Sequence, residues 1–162
     1  MSIGVGERIP AVLVKHKKGD AIEDIEMVEL FSGKKVVLFG LPGAFTPTCS
    51  GKHVPGYLAH ADDLRAKGVD LIVCLSVNDA HVMEAWGRDQ KVGDDILMLA
   101  DGNCAFTRAL GLEVDMSAAG FGMRSRRFAL VAEDGVLTHI GVEPDRTLDV
   151  SAAEKILHVL SI

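Results

Sequence analysis

Apolar and polar residues alternate, imperfectly, over Ala11–Lys15 and again over Ile22–Val28, on either side of Lys18-Gly19-Asp20. Period-two alternation around a glycine-containing turn predicts a β-hairpin. The pattern then changes. Lys35–Gly40 is a continuous apolar run, as expected of a strand buried on both faces. It ends in Pro42-Gly43 and a loop rich in Gly, Thr and Pro. Helical spacing follows from about Pro47 to Lys67, with a kink expected at Pro55-Gly56 and Gly68 as the C-terminal stop. Val69–Val77 reads as a second buried strand. Asn78-Asp79 is placed to cap a helix running to Gln90, and Ile96–Ala100 is a further short strand. Asp101–Asn103 precedes a short helix that ends at Gly111. Arg127–Ala132 and Val136–Val142, joined by Glu133-Asp134-Gly135, read as an antiparallel hairpin. Ser151-Ala-Ala-Glu154 has the form of a capping box and opens an amphipathic last helix to about Leu160.

The order is therefore β-hairpin, βαβαβα, β-hairpin, α. Strand–helix–strand units imply parallel pairing with right-handed crossovers, and the late hairpin adds antiparallel strands to the same sheet. The expected fold class is α/β: a thioredoxin-like sandwich, with a mixed central sheet, helices on both faces and an N-terminal β-hairpin. No internal repeat, low-complexity stretch or linker interrupts the chain, so residues 1–162 are read as one domain.

Composition narrows the function. The chain is 48% hydrophobic and 25% charged, an ordinary globular balance. Lys and Arg number 17 against 23 Asp and Glu, a net charge of −6, which argues against a general nucleic-acid binder or docking on an anionic membrane. The longest strong apolar run, Val36–Leu41, falls far short of the ~20 residues of a membrane span. Glu7 and Arg8 stand where a secretory signal needs its apolar stretch, and the 3 cysteines do not make a disulfide scaffold. A reducing, cytoplasmic setting is expected.

The chemistry points to Pro42-Gly-Ala-Phe-Thr-Pro-Thr-Cys49-Ser-Gly-Lys-His53. A buried strand feeds a loop that delivers Cys49 to the first turn of a helix. Unpaired N–H groups there carry partial positive charge and favour a thiolate, which turns an inert cysteine into a nucleophile. The plainer possibility is a small buried hydrophobe. A phosphate loop is excluded, because Thr46 and His53 stand where it needs Gly and Ser or Thr. A dithiol site is excluded as well, since Thr46 replaces the first thiol of Cys-x-x-Cys. A zinc site would find only Cys49 and His53, with no second pair to complete a tetrahedron. Thr46 can accept a hydrogen bond from the thiol or donate one to an oxygen beside it. Arg124-Ser-Arg-Arg-Phe128 precedes an apolar strand; if that strand lies beside Lys35–Gly40, its basic start can face Cys49.

Pro42-xxx-Thr46-xx-Cys49 resembles the active-site pattern of the peroxiredoxins. Cys74-Leu-Ser-Val-Asn-Asp79, Ala85-Trp86-Gly87 and Arg126-Arg127-Phe128 resemble in particular the type II, or atypical two-cysteine, subgroup, and the likeness runs from Val5-Gly6 to the last helix. The resemblance implies a thiol peroxidase for hydrogen peroxide and alkyl hydroperoxides, with no cofactor and no metal, and a homodimer. It makes Cys49 the peroxidatic thiolate, Thr46 its hydrogen-bonding partner, Arg127 the active-site guanidinium and Pro42 a shield against water. Arg124 and Arg126 are left as surface or supporting charges. The sulfenic acid formed on Cys49 needs a thiol for its reduction: glutathione, glutaredoxin or thioredoxin.

Some relatives carry a resolving cysteine after a Glu-Pro-Asp segment. Here Glu143-Pro144-Asp145 is present and Ser151 stands in the matching place. The resemblance offers Cys74, at a position where other relatives also carry a cysteine, as the possible resolving thiol, but it is expected about 10 Å below the sheet edge, beyond the ~7 Å Cα separation a disulfide tolerates. Cys104 has no supporting motif. Two rivals remain: a binding or chaperone subunit on the same fold, and a cysteine hydrolase using Cys49 with His53 or His81.

Overall fold

A computed structural model describes residues 2–162. The N-terminal hairpin is β1 (Leu13–Lys18) and β2 (Ala21–Glu26), with Lys18 opposite Ala21. Its second strand stops short of Val28. Met27 and Phe31 are spaced one helical turn apart and both fully buried, so the chain leaves the sheet as α1 (Met27–Phe31). The Glu26 carboxylate caps it by accepting the Glu29 N–H at 2.8 Å. Next come β3 (Lys35–Leu41), a helical segment opening at Pro47, α2 (Val54–Ala59), α3 (Ala61–Ala66), β4 (Leu71–Ser76), α4 (Ala80–Gln90), β5 (Leu97–Ala100) and α5 (Ala105–Leu110). A small ribbon that the sequence pattern did not predict follows, pairing β6 (Glu113–Asp115) with β7 (Met123–Ser125). The chain closes with β8 (Phe128–Glu133), β9 (Val136–Val142) and α6 (Ala153–Leu160).

The main sheet is seven-stranded, in the order β2-β1-β5-β4-β3-β8-β9. β5, β4 and β3 are parallel, and β8 runs antiparallel to β3. Along β3, Val37, Phe39 and Leu41 enter one core with Tyr57, Leu64, Trp86 and Ile156, from α2, α3, α4 and α6. Val36 and Leu38 enter the other, with Phe31 of α1 and Phe106 of α5. Helices on both faces explain why β3 is apolar at consecutive positions. Gly40 pairs with Phe128, and a Cβ on Gly40 would lie 2.2 Å from that ring. A side chain there would displace the phenyl that covers the strand.

Two local readings need correction. The kink expected at Pro55-Gly56 takes another form: Cys49–His53 is a π turn in which the Val54 N–H bonds back to the Cys49 carbonyl, and the break falls later, at His60. Pro55 has no N–H to give the Gly51 carbonyl, and its ring would crowd that carbonyl in a regular α-helix; widening the preceding turn accommodates both facts. The capping box also fails. α6 begins after Ala152 with no side-chain cap, because the Ser151 hydroxyl donates to Glu143 Oε2 at 2.6 Å instead. Asp79, by contrast, caps α4 by accepting the Val82 N–H at 2.9 Å.

Candidate active site

β3 ends at Leu41 at the C-terminal edge of the parallel strands, and the next residues form a tight turn into the Pro47 helix. Three bonds hold that turn. The Ala44 N–H donates to Asn78 Oδ1 at 3.0 Å, the Thr46 hydroxyl donates to the Gly43 carbonyl at 2.7 Å, and Arg124 Nη1 donates to the Pro42 carbonyl at 3.1 Å. They hold Phe45 at φ +62°, a left-handed conformation that an aromatic residue adopts only when its surroundings impose it. Ser50 is one of the first residues to bond back along the helix, its N–H reaching the Thr46 carbonyl at 2.9 Å. Cys49 therefore sits in the first turn, where backbone N–H groups lack intrahelical acceptors.

Cys49 is fully buried and its nearest charge is Arg127. The Gly40–Phe128 pairing sets Arg127 just before β8, beside the end of β3. Its Nη2 donates to Cys49 Sγ at 3.3 Å and its Nη1 to His53 Nδ1 at 2.9 Å. Arg127 Nε is buried with no partner among the described residues. Arg126, one residue earlier, is exposed and donates to the Glu143 carbonyl at 3.2 Å. Arg124 is half-buried, stacked over Phe121 and tied to Pro42.

Thr46 and Pro42 stand with Arg127 around a groove of about 540 Å³, completed by Val114, Met116 and Phe121 of the small ribbon. Because the Thr46 proton is committed to Gly43, its oxygen is left as an acceptor. Cys74, like Cys49, is a free thiol. It lies in β4 between Phe39 and Met98, on the same face of the sheet as Cys49, and nearer the strand end than the sequence reading placed it, since β4 stops at Ser76. Burial, and next the charge of Cys49, push the Cys74 thiol well above its ordinary range. Cys104 starts α5, buried, with its thiol pushed up chiefly by burial.

The hydrolase alternative finds no base here. His53 is buried, donates Nε2–H to the Ser151 carbonyl at 3.1 Å and spends its Nδ1 lone pair on Arg127. Burial first, and then the Arg127 charge, lower its pKa to about 3. His81 is exposed on α4. Among the described residues no group of His, Cys, Asp and Glu is arranged to hold a metal, and no helix is long and apolar enough to cross a membrane. Asn78 is the site residue that pattern reading missed, and the pattern offered His53 only as a zinc ligand or hydrolase base, not as the partner of Arg127. Asn78 looked like a second helix cap, and His53 carries no signal of its partner Arg127, which is 74 residues away.

A single thiol at a helix start after a parallel strand, facing a buried guanidinium, defines a thioredoxin-fold thiol enzyme that works without a second vicinal cysteine. Comparison with known proteins gives the family. Residues 5–157 match the Redoxin family. The chain is 45% identical to peroxiredoxin-2B of Arabidopsis thaliana, over 98% of each chain. It is also 45% identical to the chloroplastic peroxiredoxin-2E of the same plant, over 98% of this chain and 70% of that protein. The crystal structure of reduced Prx3 from Vibrio vulnificus in complex with H2O2 superposes with a TM-score of 0.94 at 50% identity, over 98% of this chain and 99% of that one. The chain belongs to the peroxiredoxins, in their type II group, a family of thiol-dependent peroxidases.

Proposed function

We propose that the protein reduces hydrogen peroxide and alkyl hydroperoxides at Cys49, and that the contact between Arg127 Nη2 and Cys49 Sγ at 3.3 Å carries this reading. In the first step the thiolate attacks the nearer peroxide oxygen. An S–O bond forms, the O–O bond breaks, and its electron pair leaves on the far oxygen, which takes up a proton and departs as water or an alcohol. Arg127 holds the thiolate and, with the N–H groups of the first turn, stabilises the developing oxyanion. Thr46, with its lone pairs free, accepts the proton-bearing end of the peroxide. Pro42 covers the sulfur against bulk water. The apolar walls of the groove leave room for the organic part of an alkyl hydroperoxide.

The sulfenic acid is then reduced by an external thiol. One thiol displaces water to give a mixed disulfide, and a second releases Cys49 and leaves as the oxidised disulfide. Glutathione with glutaredoxin fits better than a fast internal disulfide through Cys74, whose thiol is buried in β4 and held protonated. Thioredoxin is the alternative reductant. The protein acts as a homodimer in the reducing cytoplasm and binds neither nucleic acid nor membrane.

The test is peroxide consumption by wild type, Cys49→Ser and Cys74→Ser, with glutathione plus glutaredoxin and then with thioredoxin. Cys49→Ser should consume no peroxide while melting like wild type, because the hydroxyl is nearly isosteric and not acidic. Surviving activity would sink the peroxidase reading. Cys74→Ser should keep most of its turnover with glutaredoxin. Loss of turnover with both reductants, at unchanged stability, would instead make Cys74 the resolving thiol.

A further inference from the structure

We propose that His53 is the positioning residue for Arg127: a neutral acceptor that fixes the guanidinium against Cys49 without cancelling its charge. The inference rests on the peroxidase reading above and deepens it. A guanidinium is a rigid fork of donors, so two directed bonds define its plane. Here one goes to Cys49 Sγ at 3.3 Å and the other to His53 Nδ1 at 2.9 Å. With Nε unpartnered, loss of the His53 bond leaves nothing to stop the fork rotating away from the sulfur.

His53 is itself anchored. Its Nε2–H donates to the Ser151 carbonyl at 3.1 Å, which fixes the tautomer and leaves Nδ1 as the acceptor. Tyr57 donates to the same carbonyl at 2.7 Å, and its ring stacks on Phe39, whose centroid lies 4.8 Å from the imidazole. Ser151 is held by Glu143 Oε2, which accepts from the Ser151 N–H at 2.9 Å, the Ser151 hydroxyl at 2.6 Å and the Asp149 N–H at 2.8 Å. Hydrogen bonds thus run without a break from Glu143 through Ser151, His53 and Arg127 to Cys49.

The residue type matters. A carboxylate at this place would also accept from Arg127, but it would form an ion pair and neutralise the field at the sulfur. A neutral imidazole orients the cation and leaves the charge for the thiolate. The other titratable groups around it do not compete. Tyr57 on α2 and Cys74 on β4 are pushed toward their neutral forms by burial. Lys52 and Glu154 are exposed, on the rim of a cavity of about 320 Å³ beside the imidazole. Glu143 is held by Ser151 and the neighbouring backbone. Arg127 remains the charge in direct contact.

The experiment compares His53→Ala and His53→Gln with wild type, by single-turnover oxidation of Cys49 with hydrogen peroxide and by iodoacetamide alkylation, both across pH. His53→Ala should slow oxidation roughly ten- to a hundredfold, the weight of one hydrogen bond to a charged group, and move both profiles to higher pH. His53→Gln, which keeps one acceptor and one donor, should recover most of the rate and the wild-type profile. Wild-type rates and profiles in His53→Ala overturn the proposal. So does equal impairment of the Ala and Gln variants with an unmoved pH profile, which would mark His53 as packing alone. If wild type consumes no peroxide, the peroxidase reading fails, while the alkylation profiles still decide whether His53 sets Arg127 against Cys49.

Discussion

The indole N–H of Trp86 donates to Ser50 Oγ at 3.0 Å, which pins α4 to the residue directly after Cys49. Trp86 is fully buried and is the one tryptophan of the chain, so it reports on this turn. Cys49 is also fully buried, and any bulky reagent or second thiol reaches it only when the turn opens. Ser50→Ala should therefore speed reaction of Cys49 with a bulky maleimide about fivefold, as expected for removing a bond worth ~1 kcal/mol. Peroxide should change the tryptophan fluorescence of the wild type. An unchanged maleimide rate in Ser50→Ala would show that the bond does not restrain opening.

Arg127 and Arg124 should separate sharply in kinetics. Arg127 touches Cys49 Sγ, whereas Arg124 only ties down the Pro42 carbonyl. Arg127→Ala removes a preorganised donor and should lower kcat/KM for peroxide by about 10²–10³. Arg124→Ala loosens the turn and should cost no more than about tenfold, the scale of one ordinary hydrogen bond. Equal losses in the two variants would count against the division of labour drawn from their contacts.

Acid stability should carry the imprint of His53. Its pKa is 6.5 when free and about 3 in the fold, because burial and Arg127 disfavour the imidazolium. Between those values the unfolded chain binds a proton that the folded chain does not. This contribution is therefore fully present above about pH 6.5 and is lost as pH falls toward 3. The slope approaches one proton, or about 1.4 kcal/mol per pH unit. His139, also lowered by burial, acts in the same direction, so the informative quantity is a difference. Urea unfolding of wild type and His53→Gln from pH 7 to pH 5 should show a flatter dependence in the variant. Parallel curves would mean that His53 is not held neutral.

Much of the architecture was legible because it is written in periodicity. β3 and β4 are apolar runs, Asp79 is a helix cap, and Asp134-Gly135 makes the β8–β9 turn with positive φ at both residues. α1, β6 and β7 were not legible. Elements of five or three residues are too short to be stable alone, and they exist because Met27 and Phe31 are buried or because Glu113 meets Ser125. Ser151 misled for a related reason: a local capping pattern lost to a buried carboxylate, Glu143, that offers its hydroxyl a charged acceptor.

The sequence by itself determined that a buried strand hands one cysteine to the start of a helix, since strand, turn and helix are contiguous and each follows from local pattern. Only tertiary structure decided what that cysteine faces. Of three arginines within four residues, it is the pairing of Gly40 with Phe128 that sets Arg127, buried, beside the end of β3, while Arg126 stays exposed. Likewise it is burial beneath Phe39 and Tyr57, against the Ser151 carbonyl, that makes His53 an acceptor instead of a base. Charge state and direction depend on solvent exclusion and on partners far along the chain, and neither is a property of a residue's neighbours in sequence.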